Sequence, residues 1–350
     1  MKAYCFKHLL KFKIPSGTSR GILNDKESWF IIIINGENYG IGECSLIKGL
    51  SPDPDSTFEL KLKDICRKIH LGFSNLSLEL ESYPAILFGL ETAFRSFESK
   101  NPFVFSKSNF TTGEGSLSIN GLIWMGKKSF MKKQIKEKIE SGFKCIKIKV
   151  GALDFDLECE ILKSLRAEYS QSDIEVRLDA NGSFSLSSAF EKLEKLSAFK
   201  IHSIEQPISV KQWQEMAFLC KKSPIPIALD EELIGVPSFI EQKKMLLEIN
   251  PAYIILKPSL IGGLKKADDW IKLASSLNIQ WWSTSALESN IGLNAISQWA
   301  FNKEPLLPQG LGTGMLYSNN IDSPYFIDNG FLKYNSDVAW NSSLFKDFIS

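Results

Sequence analysis

The sequence carries only three histidines, and its six cysteines (Cys5, Cys44, Cys66, Cys145, Cys159 and Cys220) are scattered, with no C-x-x-C pair and no histidine at ligand spacing. That argues against a zinc site and suits a reducing, cytoplasmic setting. Neither sign of charge is in excess: 41 basic against 40 acidic side chains leave +1. No global field therefore favours nucleic acid or an anionic membrane, and the lysine-rich stretch 127–138 reads as a solvated helix face. The longest aliphatic-aromatic run, Trp29 to Ile34, is far too short to span a bilayer. The N-terminus alternates lysine with apolar residues, so no signal peptide is expected. No low-complexity linker interrupts the chain.

What is present is a period. Lys144 to Val150 has the residue types of a strand and is followed by Gly151. Strand side chains alternate faces, so Ile146, Ile148 and Val150 share one face while Lys147 and Lys149 share the other. Similar apolar stretches then end in Asp179, Glu205, Asp230 and Lys257, each 25 to 30 residues after the previous charge. One strand, one helix and two short loops fill about that much chain in a repeated βα unit. The residues out of phase with the charges (Val176 and Leu178; Ile225, Ile227 and Leu229; Ile254 and Leu256) are aliphatic and belong beneath helices. The charged ends then converge at the C-terminal mouth of a parallel barrel. Three carboxylates on successive strands suit a hard divalent cation, with a lysine on either side.

The first hundred or so residues lack this period. Ala3 to Ile14 reads as a strand and Ser16 to Gly21 as a loop. Ser28 to Asn35 pairs with Asn38 to Glu43 through Asn35-Gly36-Glu37; Thr57 to His70 and Ala85 to Lys100 are helical in character. The loops at Arg20 and from Gly40 to Pro52 read as ordinary surface loops, with a lid over a neighbouring site as the alternative. Helices are expected over Lys127–Glu140 and Ser185–Ala198, and further strand ends at Ser283 and at Pro308-Gln309-Gly310. His202 is in antiphase with Glu205 and is read as facing the helices. Trp281 and Trp282 are read as barrel packing. The expected organisation is α/β: a capping domain over 1–113, a barrel over 114–316 and a tail over 317–350 that returns to the cap.

Lys147-Ile148-Lys149, Asp179-Ala180-Asn181, Glu205-Gln206-Pro207, Asp230-Glu231 and Lys257-Pro258, with Gly40-Ile41-Gly42-Glu43, resemble the enolase superfamily, in particular its muconate-lactonizing-enzyme-like branch. The resemblance covers nearly the whole chain. It implies a modified TIM barrel of the (β/α)7β type with an α+β cap built from the N-terminal segment and the C-terminal tail. It also implies Mg²⁺, for which Mn²⁺ is a substitute, held by Asp179, Glu205 and Asp230. The substrate is then a small carboxylate, from which a proton is removed next to the carboxylate group. Lys149 is the implied base, made easier to deprotonate by Lys147 and the metal. Lys257 stands on the opposite side, as a second acid/base in an epimerase or as a cation in a dehydratase. Asn181 and Glu231 support the ligands. Arg20 is read as reaching a substrate carboxylate, and Ser285 and Gly312 as donors to a second one.

Softer matches at Gly42-Glu43-Cys44-Ser45, Gly49-Leu50-Ser51-Pro52, Ser283 to Ser289 and Gly292-Leu293 resemble the branch members that dehydrate a succinyl-hydroxycyclohexadiene carboxylate in menaquinone biosynthesis. Dipeptide epimerases of the branch carry Asp-x-Asp after the last strand; here Gly310 to Gly314 contains no acid. N-acylamino acid racemisation or dipeptide epimerisation is the alternative, and a non-catalytic metal-binding barrel the third reading. No nucleic-acid or membrane partner is expected, and the oligomeric state is not legible.

Overall fold

The computed structural model describes residues 1–18, 21–236 and 238–349. An antiparallel sheet opens the chain: β1 (Lys2–Thr18), β2 (Gly21–Asn35) and β3 (Asn38–Ser45). The first hairpin is longer than its sequence suggests, because Ser16, Gly17 and Thr18 continue to pair with Leu23, Ile22 and Gly21 after a register shift past Lys11. The second turns tightly at Gly36, whose φ of +63° suits glycine.

The apolar run in β2 is buried on both sides. Trp29, Ile31 and Ile33 pack with residues of the helices Phe58–Arg67 and Pro84–Glu98, while Phe30 and Ile32 pack with Phe345 of the tail. β3 lies so close to the second helix that a Cβ on Gly42 would stand 1.9 Å from the Gly89 carbonyl oxygen.

That helix begins beside a buried carboxylate. Asp53 accepts the Ala85 N–H at 3.1 Å, yet burial pushes its pKa up to about 7 against the opposing effect of these N–H groups. A carboxyl whose folded pKa exceeds its unfolded value binds its proton more tightly in the native state. Its contribution to stability is complete below about pH 4 and is lost as pH rises through about 7. Asp53→Asn keeps an acceptor oxygen and removes the charge. It is expected to be more stable than the wild type at pH 8, by on the order of a few kcal/mol, and the gap should close towards pH 4. Thermal melts across that range check this; a gap that widens on acidification would reverse the assignment.

The barrel strands are β5 (Gly121–Ile123), β6 (Cys145–Lys149), β7 (Glu175–Asp179), β8 (Ser203–Glu205), β9 (Ile227–Leu229), β10 (Tyr253–Leu256) and β11 (Gln280–Ser283). They are parallel and adjacent in chain order. Gln309 and Gly310 bridge to Ile119 on one side and Thr284 on the other, joining the two edges. The out-of-phase aliphatics sit in the main core with the surrounding helices. Helices Lys128–Glu140 and Leu186–Ser197 fall where expected; the first buries Met131 and Ile135 and pairs Lys133 with Glu137 and Lys136 with Glu140 on its exposed face. Among the described residues no helix is long and apolar enough to cross a membrane.

The tail does not go to one place. β12 (Tyr325–Asp328) and β13 (Phe331–Tyr334) form a sheet with β4 (Ser116–Ser118), where Leu332 pairs with Leu117 and both join the barrel core. Beyond it, Trp340 stacks on Phe103 with centroids 4.7 Å apart, and Phe345 packs on Phe6 and Phe30 of the first sheet. Leu117 and Leu332 need cover at the base of the barrel just as Phe30 and Ile32 need it on the cap, and one segment supplies both.

Candidate active site

The alternation of β6 and β7 decides which side chains meet. Lys149 pairs with Asp179 and Asp179 with Glu205 in register, so their side chains share the inner face; Asp230 and Lys257 follow the last residues of β9 and β10. Lys147, Asp179, Glu205, Asp230 and Lys257 are all buried. Lys147 Nζ donates to Asp179 Oδ2 at 3.0 Å and to Glu205 Oε2 at 3.0 Å. Lys149 Nζ donates to the same Asp179 oxygen at 3.0 Å and to Asn181 Oδ1 at 2.6 Å. Lys257 Nζ donates to Asp230 Oδ2. Asn181, at a φ of +44° that asparagine tolerates better than most residues, passes its amide to Glu231 Oε1 at 2.9 Å.

The charges depend on one another. Burial disfavours the ammonium of Lys147, but Asp179, Glu205 and Asp230 outweigh it and push its pKa above the ordinary lysine value. Lys257 is raised in the same way, against burial, by Asp230, Glu231 and Glu205. Burial also works against the Asp179 anion, yet the three lysines pull its pKa below the carboxylate range. Glu205 goes the other way: burial, then the charges of Asp179 and Asp230, push it well up.

This donor set fits a hard divalent cation. Three buried carboxylates crowd adjacent strand ends, and Asp230 Oδ1 is buried without a hydrogen-bond partner. As the side chains stand, no three His, Cys, Asp or Glu groups among the described residues close around one point; the ammonium groups of Lys147 and Lys257 take up the carboxylates instead.

Above them lies a cavity of about 470 Å³. Its floor includes Lys147, Lys149, Asp179, Asn181, Glu231 and Lys257; Ser285, Gly312 and Thr313 form part of its wall. Ile14, Leu23, Ile47 and Leu50 of the first domain also line it. The segment from Gly40 to Pro52, read as an ordinary surface loop, therefore contributes to the site. Arg20 lies outside the described residues.

Ser285 lines the cavity, but its proton is already committed. The hydroxyl donates to Glu288 Oε2 at 2.7 Å and accepts from Leu287 N at 2.9 Å and Thr313 Oγ1 at 2.8 Å. It cannot also donate to a substrate carboxylate in this arrangement. Gly312 is at the wall with little room, since a Cβ there would come within 3.2 Å of Ile119.

His202 corrects the sequence reading. It sits just before β8 with its ring beside Tyr253 and Trp282, at centroid separations of 5.1 and 6.5 Å, and bonded to Ser203 Oγ at 2.9 Å. The position precedes the regular strand, so alternation counted back from Glu205 does not govern it. Arg177, in phase with Asp179, is not singled out by the sequence pattern. Its guanidinium lies 4.2 Å from the Trp282 ring centroid and bonds Glu175 and the Pro308 carbonyl. Nor does the pattern single out Gln206, whose Oε1 accepts the backbone N–H groups of Asp230 and Glu232, fixing the residue that carries a carboxylate.

The enolase C-terminal domain-like family model matches residues 131–337. The chain belongs to that family. Among enolase-superfamily proteins, it is 44% identical to the o-succinylbenzoate synthase of Desulfotalea psychrophila, over 92% of this chain and 96% of the relative. A crystal structure of MenC from the same organism superposes with a TM-score of 0.85 at 40% identity, covering 95% of this chain and 99% of that one. An L-amino acid-D/L-Glu epimerase from Francisella philomiragia is 29% identical over 49% of this chain and 47% of its own length. Membership brings a divalent metal as the expected cofactor, consistent with the crowded carboxylates.

Proposed function

We propose that this chain is a Mg²⁺-dependent carbon–oxygen hydro-lyase that dehydrates 2-succinyl-6-hydroxy-2,4-cyclohexadiene-1-carboxylate to o-succinylbenzoate in menaquinone biosynthesis. The observation that carries this is the 44% identity to an o-succinylbenzoate synthase along nearly the full length of both chains. The epimerase likeness extends over about half the chain, and Gly310 to Gly314 offers no acid to hold a substrate ammonium. The six unpaired cysteines suit the cytosol.

The difficulty is a very weakly acidic proton on carbon next to a carboxylate. Asp179, Glu205 and Asp230 would hold the Mg²⁺, with Asn181 and Glu231 beside them. When bound, the ion supplies positive charge that holds the substrate carboxylate and offsets the negative charge that develops there. Lys149, as the free amine, takes the proton from the ring carbon. The electron pair of that C–H bond moves into the carboxylate and then returns to expel the hydroxyl from its neighbour. The Lys149 ammonium, on the same face, delivers its proton to the departing oxygen. Water leaves, the ring becomes aromatic and the amine is regenerated. Lys147 anchors Asp179 and Glu205, and Lys257 is a fixed cation on the opposite side. The apolar cap residues exclude water from the cavity.

Incubation with the cyclohexadiene and Mg²⁺ should give o-succinylbenzoate with a kcat/KM of at least about 10⁴ M⁻¹ s⁻¹, followed by loss of diene absorbance and stopped by a chelator. Faster deuterium uptake at the α-carbon of N-acylamino acids than diene turnover would favour racemisation, to which a lysine on each face is also suited.

A further inference from the structure

At the seam between cap and barrel lies a buried polar cluster that the chemistry above does not use. Glu288 is 0% exposed. Ser259 Oγ donates to its Oε1 and Ser285 Oγ to its Oε2. Ser259 is two residues beyond Lys257, in the turn where the Leu260 and Ile261 N–H groups bond back to the Lys257 carbonyl at 2.8 and 3.2 Å. Ser285 in turn receives Thr313, from the segment after the closing bridge. One carboxylate thus ties together loops from three points of the barrel mouth.

The next residue continues the connection into the cap. Ser289 donates to Glu43 through its N–H at 2.9 Å and its hydroxyl at 2.5 Å, and Gly292 N adds a third bond at 2.9 Å. Glu43 also accepts from Ser28 Oγ at 2.6 Å, and that oxygen accepts from the buried Lys26 ammonium at 2.9 Å. There is no slack: a Cβ on Gly292 would lie 2.7 Å from Glu288 Cγ and 2.9 Å from Glu43 Oε2. Burying a carboxylate with hydroxyl partners alone is costly, and an apolar residue would fill the space more cheaply. What an apolar residue cannot do is hold two loops at fixed hydrogen-bond geometry.

We propose that Glu288 is a positioning residue, holding the Lys257 loop and the Ser285 loop in one frame to which Glu43 keys the cap. Its consequence for turnover rests on the role given to Lys257 above; the positioning itself does not.

The test compares Glu288→Ala and Glu288→Gln in the full chain. Gln has one acceptor oxygen, for Ser285, and an amide that Ser259 Oγ can accept, so it should restore what Ala removes. In Glu288→Ala, hydrogen exchange at the Leu260, Ile261 and Leu287 amides should rise while the barrel strands stay protected. On the diene, kcat should fall about 10²-fold, the size of a misplaced catalytic group, with KM little changed; Gln should recover most of it. Unchanged exchange at 260–261 in the Ala variant overturns the proposal, as does a Gln variant as defective as Ala. If the wild type does not turn over the diene, the functional reading fails and the exchange comparison alone decides the positioning. Should Glu288→Ala not fold, Ser259→Ala must loosen 260–261 selectively, and wild-type exchange there is equally fatal.

Discussion

Lys149→Ala is expected to abolish turnover of the cyclohexadiene substrate, with Lys257→Arg retaining more activity than Lys149→Arg. The proposed function gives the two lysines different tasks. Lys149 reaches the cavity floor with its ammonium between Asp179 and Asn181, placed to exchange a proton with a group above it. Loss of a general base costs about 10²–10⁴-fold, and more here because the same group returns the proton to the leaving hydroxyl. Lys257 lies across the row against Asp230 and, in the proposed role of a fixed cation, need only stay positive. Arginine keeps that charge but exchanges protons poorly and is bulkier, so it is tolerated better at 257 than at 149. The comparison is made as kcat/KM on one substrate, where differences report transition-state stabilisation. Higher activity in Lys149→Arg than in Lys257→Arg would put the base on β10.

Asp179→Asn should cripple Mg²⁺ binding and turnover and leave the fold largely intact. Of the three expected metal ligands, Asp179 is the one that lines the cavity, and its Oδ2 accepts from both Lys147 and Lys149. An amide there removes one anionic ligand and turns at least one contact with an ammonium group into a weaker or repulsive one. Outer-shell changes at metal sites cost about 10–100-fold in affinity; loss of a ligand should cost at least that, read by calorimetric titration of Mg²⁺. The far-ultraviolet circular dichroism should not change, since the residue ends β7 and packs no helix. Wild-type turnover in this variant would remove Asp179 from the site.

The βα period, the face carrying each charge and the row from Lys149 to Lys257 were legible in the sequence, because strand alternation and repeat length are local properties of a chain. The aliphatic faces of β7, β9 and β10 could be read for the same reason. Local pattern is silent where distant segments meet. Ile47 and Leu50 resemble surface-loop residues until the cap is placed over the barrel. The apolar run Trp29 to Ile33 is covered on both faces, and only the packed structure shows Phe345 on one side of it. Ser285 reads as a donor until Glu288, folded back onto it, claims the proton. The bonds from Glu43 to Ser289 join residues 246 positions apart, a separation at which no periodicity carries information. Sequence by itself determined the barrel and its charged rim. Tertiary structure alone decided what closes over that rim and which hydroxyls remain free, since both depend on contacts made after the elements pack.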